Sequence, residues 1–111
     1  MQIAEQVHGA VTVLRPAGPL THEHAELFGG AVGNALSKSL GRFVIDATEM
    51  AFVDSAGLEA LVDSADRLAD SGLTLKLFGV NETVREVFEL TETAEHFEHF
   101  ADMHSAVRSF L

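Results

Sequence analysis

The 111-residue sequence has no cysteine, which excludes disulfides and thiolate chemistry and fits a reducing compartment. It also lacks any run of about 18 or more apolar residues, and its start, M-Q-I-A-E-Q, lacks the charged and apolar regions of a signal peptide. A cytoplasmic protein without direct membrane insertion is expected. Positive charge is scarce: 7 Lys and Arg against 17 Asp and Glu leave a formal charge of −10. Phosphate backbones and anionic lipid are held by Lys and Arg, so no nucleic acid partner is expected and a basic protein is the better match. The 2 prolines and 9 glycines are too scattered to make a linker, and no repeat appears. Residues 1–111 therefore read as one domain.

What is present alternates in period. Gln2 to Val7 and Val11 to Leu14 are strand-like runs joined by His8-Gly9-Ala10, which suits an antiparallel hairpin. Arg15-Pro16-Ala17-Gly18-Pro19-Leu20 is expected to end the second strand, because proline removes ladder donors. Thr21 stands as a cap for a helix over Ala25 to Leu40, whose face is Phe28, Ala31, Val32, Ala35, Leu36 and Leu40. Gly29, Gly30 and Gly33 inside it point to close packing on a neighbour, since each costs roughly 1 kcal/mol of helix propensity relative to alanine. Gly41 stops the helix. Phe43 to Ile45 form a central strand, and Leu58, Leu61, Val62, Ala65, Leu68 and Ala69 mark a second helix that ends near Ser71-Gly72. Leu73 to Phe78 is a buried strand, Asn81 caps a third helix with stripe Val84, Val87 and Phe88, and a last helix starts near Asp102. Thr91 to Phe100 suits either a helix or a short strand, and a strand is expected. The sum is an α/β chain, a mixed sheet made of an initial hairpin followed by parallel strands, with about four helices.

Between the central strand and second helix lies Phe52-Val53-Asp54-Ser55-Ala56-Gly57. A serine at a helix start is ordinarily an N-cap. Here Phe52 and Val53 are expected to pin the turn to the core, while Ala56 and Gly57 leave the electropositive helix tip bare. A phosphate on Ser55 is tolerable there and adds about −1.5 to −2 charge. Glu59, Asp63, Asp66 and Asp70 follow on the outer side, with Arg67 spaced to pair with Asp63. They form a solvated face or a docking surface for a basic partner.

The element order, with F-V-D-S-A-G-L-E-A-L at 52–61, resembles the STAS domain of bacterial anti-sigma factor antagonists. The likeness is carried by Asp54-Ser55-x-Gly57-Leu58, supported by Gly18-x-Leu20 and by Val80-Asn81-x-x-Val84-Arg85. It implies that Ser55 is phosphorylated by an anti-sigma factor that is a serine kinase of the GHKL type, and that a phosphatase resets it. It further implies that the unmodified form binds that partner and the modified form releases it. Together with the acidic face of the second helix, the expected partner surface comprises Thr21, Asp54, Ser55, Ala56, Gly57, Glu59 and Asp63. The chain departs from the family pattern at Thr21, where many members have aspartate, and at Ala56, which replaces a second hydroxyl. A third departure is Leu90-Thr91-Glu92-Thr93, which lacks the usual glycine.

The same resemblance admits a STAS subunit of a membrane transport or lipid-trafficking ABC system, bound to its ATPase without phosphorylation. Other classes fit less well. A serine hydrolase would want a G-x-S-x-G elbow, which is missing. A phosphoaspartate receiver would want an acidic pair after Val11 to Leu14. His22, Glu23 and His24, or His96 and His99 with Glu95 and Glu98, are metal-ligating types without visible convergence. No metal, cofactor or catalytic residue is expected.

Overall fold

Glycine at the first of two loop residues lets a hairpin follow the natural strand twist, and Gly9 adopts φ 65° between the paired residues His8 and Val11. The computed structural model describes all 111 residues. Its strands are β1 (Gln2–His8), β2 (Val11–Ala17), β3 (Phe43–Asp46), β4 (Leu75–Phe78) and β5 (Phe97–Phe100). Its helices are α1 (Ala25–Ser39), α2 (Ser55–Ala69), α3 (Glu82–Leu90) and α4 (Met103–Arg108). The sheet order is β1-β2-β3-β4-β5, with β1 antiparallel to β2 and every later pair parallel. Each crossover therefore steps in the same direction, and right-handed connections must place α1, α2 and α3 on one face.

The period-two alternation of the strands divides the core accordingly. Leu14, Phe43, Ile45, Leu75, Leu77 and Phe97 face the three long helices, meeting Phe28 and Val32, Leu61 and Leu68, and Val84 and Phe88. Val11, Val13, Val44 and Phe78 point the other way, where Ala106 of the short α4 covers them. All four helix N-termini consequently open on the rim at which the parallel strands end.

Several expectations change in detail. β2 runs through Pro16 to Ala17, because its pairing with β3 stops at Leu14 and Pro16 faces only β1 across the register. Thr21 does not cap α1: its carbonyl accepts from His24 N at 2.9 Å, and the helix begins without a side-chain cap. Leu40 leaves the buried face, turning left-handed at φ 55° and 76% exposed. Leu73 precedes β4 instead of belonging to it, and Thr91 to Phe100 holds a turn, a 3-10 segment at Ala94–His96 and β5. The α1 glycines divide. Gly29 and Gly33 lie under Arg67 of α2, which donates to Gly29 O at 3.3 Å and does not pair with Asp63. Gly30 faces open space.

Candidate functional site

Two loops approach each other where β2 and β3 run out, and backbone pairing joins them. Leu20 N donates to Phe52 O at 3.1 Å and Asp54 N donates to Leu20 O at 3.2 Å, giving a parallel bridge between Leu20 and Val53. Leu20 is fully buried. Gly57 sits against the same carbonyl: a Cβ there would lie 2.0 Å from Leu20 O. Its missing side chain thus serves close approach within the chain. Gly57 is buried, whereas it was expected to allow close approach of a partner.

Asp54 is the N-cap of α2, and both its oxygens are used. Oδ1 accepts Gly57 N at 2.8 Å and Oδ2 accepts His22 N at 2.9 Å. These two backbone donors, Gly57 first and His22 second, hold the carboxyl below the usual carboxylate range. Asp54 therefore ties the loop before α1 to the tip of α2. The Gly57 amide is consequently not free for an anion.

A third segment reaches the turn from the opposite side. Asn81 caps α3 by accepting Val84 N at 2.8 Å, and its amide donates back to Ala51 O at 2.9 Å and Met50 O at 3.3 Å. The side chain of Met50 is buried beneath. The three motifs Gly18-x-Leu20, Asp54-Ser55-x-Gly57 and Val80-Asn81 thus converge on one turn. That convergence was not visible in the sequence, where Leu20 and Asn81 stand in separate motifs far apart along the chain. Tertiary hydrogen bonds to backbone carbonyls leave no signal in composition or spacing.

On this anchored turn Ser55 opens α2 and is exposed. Val53 is buried as expected, but Phe52 is 48% exposed, so Val53, Leu20 and Asn81 fix the turn and Phe52 does not. Ala56 is half-buried beside Ser55, and Thr21 is half-buried in the tethered loop. Glu59 and Asp63 are exposed along α2 and border an open trough with Gly29, Gly33, Ala56 and Arg67. Asp63 begins about 12 Å from Ser55 along the helix, eight residues at ~1.5 Å each. Asp66 and Asp70 are exposed too, Asp66 lying 3.5 Å from His96 Nδ1. The structure gathers no three His, Asp or Glu side chains into a metal-holding group. His24 lies by the N-terminal amine and His99 Nε2 by Ala94 O. No helix is long and apolar enough to cross a membrane.

Comparison with curated proteins finds no match. Among solved structures, an anti-sigma factor antagonist from Mycobacterium paratuberculosis superposes with TM-score 0.81 at 19% identity, over 97% of this chain and 92% of that one. The phosphorylated form of the Bacillus cell fate determinant SpoIIAA gives TM-score 0.71 at 18% identity, over 99% and 100%. The murine anion transporter Slc26a9 in its inward-facing state gives 0.76 at 18% identity, over 95% of this chain and 18% of the transporter. At such identities the likeness is one of fold. The family model for the STAS domain matches residues 2–106, nearly the whole length, and with the turn just described it shows that the chain belongs to the STAS domain family.

Proposed function

We propose that residues 1–111 act as one cytoplasmic unit, a partner-switching regulator of the anti-sigma factor antagonist kind, with Ser55 as its phosphorylated residue. The observation that carries this is the contrast at the turn. Val53, Leu20, Asp54 and Asn81 are committed to holding the backbone, while the Ser55 hydroxyl stands exposed at the tip of α2. A fixed backbone presents the hydroxyl in one geometry, which is what a protein kinase requires of a folded acceptor.

The protein itself supplies no catalytic group. Asp54 is the nearest carboxylate in sequence, but both its oxygens are engaged by backbone N–H groups, so it is not placed to serve as a base. The kinase, an anti-sigma factor of the GHKL type, brings ATP. The serine oxygen bonds to the γ-phosphorus, the bond to the bridging oxygen breaks, ADP leaves, and the hydroxyl proton passes to a base on the kinase. A phosphatase reverses the modification by hydrolysis.

The strand order supports a protein partner over a small ligand. It never reverses from β2 to β5, so the crevice that binds small molecules at a switch point in open α/β sheets does not form. The face is shallow and acidic, with Glu59 and Asp63 beyond Ser55. A phosphate adds about −1.5 to −2 charge to it. The helix tip offsets that for this chain by about 0.3–1 kcal/mol, whereas a partner docked there meets the new charge directly.

The test is binding of a purified kinase partner to Ser55→Ala and Ser55→Asp. Alanine should bind like the unmodified protein and take up no phosphate, with stability within about 0.5 kcal/mol. Aspartate should weaken binding. If both bind like wild type, the switch is refuted. The fold's occurrence within an anion transporter gives a second reading, a STAS unit of a membrane transport system: binding to a transport protein, unaffected by either substitution, would establish it.

A further inference from the structure

Capping a helix takes one acceptor oxygen, and asparagine does it as well as aspartate. Asp54 uses one oxygen for that purpose, at Gly57 N, and the second on His22 N, 32 residues earlier in the chain. Nothing in the fold of α2 requires the second bond. What it does is hold the segment Thr21 to His24 against the tip of α2, just beyond the point where the Leu20 and Val53 bridge ends. His24 N in turn donates to Thr21 O, so the segment is a closed turn suspended from one carboxylate oxygen. His22 and Glu23 are exposed on this turn, and the residue that holds it, Asp54, immediately precedes the exposed Ser55.

We infer that Asp54 is a positioning residue, whose second carboxylate oxygen makes the Thr21–His24 turn part of the same partner surface as Ser55. This rests on the proposed role of Ser55, and it gives the segment that holds Thr21 a physical tether to that surface. Without the clamp the turn is tethered only by its own ends, and a partner must order it on binding, which lowers affinity without altering the attack on the γ-phosphorus. The depressed carboxyl of Asp54 agrees with two donors being held by the ionised form.

Asp54→Asn separates the two bonds, because its one oxygen keeps the cap and its amide nitrogen cannot accept from His22 N. Amide hydrogen exchange in Asp54→Asn should accelerate about tenfold at His22 and stay unchanged at Gly57, while Asp54→Ala should lose both. The functional readout is phosphate incorporation at Ser55 from ATP in host cell extract, followed over a range of protein concentrations. Asp54→Asn should raise the concentration for half-maximal rate about tenfold and leave the saturating rate within about twofold. His22→Pro, which removes the donor and leaves the carboxylate, should reproduce that split. A His22 amide that stays protected in Asp54→Asn overturns the clamp. A freed His22 amide with unchanged half-saturation overturns the turn's place in the surface. If the wild-type protein takes up no phosphate at all, the role of Ser55 and this surface fall together, and His22 exchange alone decides whether the clamp exists.

Discussion

Replacing Gly57 by alanine tests whether the turn is built as described. A Cβ at Gly57 would lie 2.0 Å from Leu20 O and 2.7 Å from Leu20 C, against an ordinary contact of 3.4–4 Å. The obstacle is backbone, so the Leu20 carbonyl must retreat by about 1.4 Å, the shortfall from ordinary contact. It is not free to do so. Leu20 is wholly buried and bonded on both sides, to Phe52 O and from Asp54 N. Losing those bonds costs about 1 kcal/mol each, and forcing extra volume into packed surroundings costs about 1–3 kcal/mol. Better helix propensity returns about 1 kcal/mol. A net loss of about 2–4 kcal/mol follows, or a fall in Tm on the order of 10–20 °C. Gly30 supplies the control, since nothing lies within 4 Å of a Cβ there and it is helical as well. Gly30→Ala should raise stability by up to about 1 kcal/mol. Thermal and urea unfolding of both variants measure the contrast. Gly57→Ala as stable as wild type would refute the close approach and the convergence built on it.

Asn81→Asp should keep the α3 cap but lose the donors to Ala51 O and Met50 O, whereas Asn81→Ala loses both. Urea unfolding should rank wild type, then aspartate, then alanine, with alanine about 2–3 kcal/mol below wild type. Leu40 and Glu92 adopt φ of 55° and 59°, so Leu40→Gly and Glu92→Gly should each gain about 0.5–1 kcal/mol in the same assay. The carboxyls of Asp54 and Asp102 are lowered, foremost by the N–H groups of Gly57 and Ser105 respectively. Folding favours their ionised forms, so their stabilisation is complete above the ordinary carboxylate value of about 3.9 and is lost as pH falls through the lowered folded values. Acid titration of unfolding should show that loss in wild type and a smaller one in Asp54→Asn.

Periodicity carried most of the architecture. The short apolar run of Phe43 to Ile45, buried on both faces, and the helical stripes through Phe28, Leu61 and Phe88, buried on one, identify elements that the structure contains. Asn81 was legible as a cap and Asp102 as the start of the last helix, and in the structure each accepts a backbone N–H three residues on. What escaped was everything decided by distant partners. Pro16 stays in a strand because β3 has already parted from β2 there, and Thr21 loses the capping role because its carbonyl closes a turn on His24 N and α1 starts only at Ala25. Arg67 turns from Asp63 to a carbonyl that only the glycines of α1 expose. Glu92 shows the converse case: the missing glycine was noted in sequence, and the left-handed geometry it normally serves is present without it.

The most direct measurement of the central claim is the site of phosphate incorporation. The purified protein and Ser55→Ala would be incubated with host cell extract and ATP, digested, and the phosphopeptides mapped by mass spectrometry. Phosphate confined to the peptide holding Ser55, and absent from the alanine variant, is the predicted result. Phosphate on another residue with Ser55 unmodified, or equal labelling of the alanine variant, would contradict it.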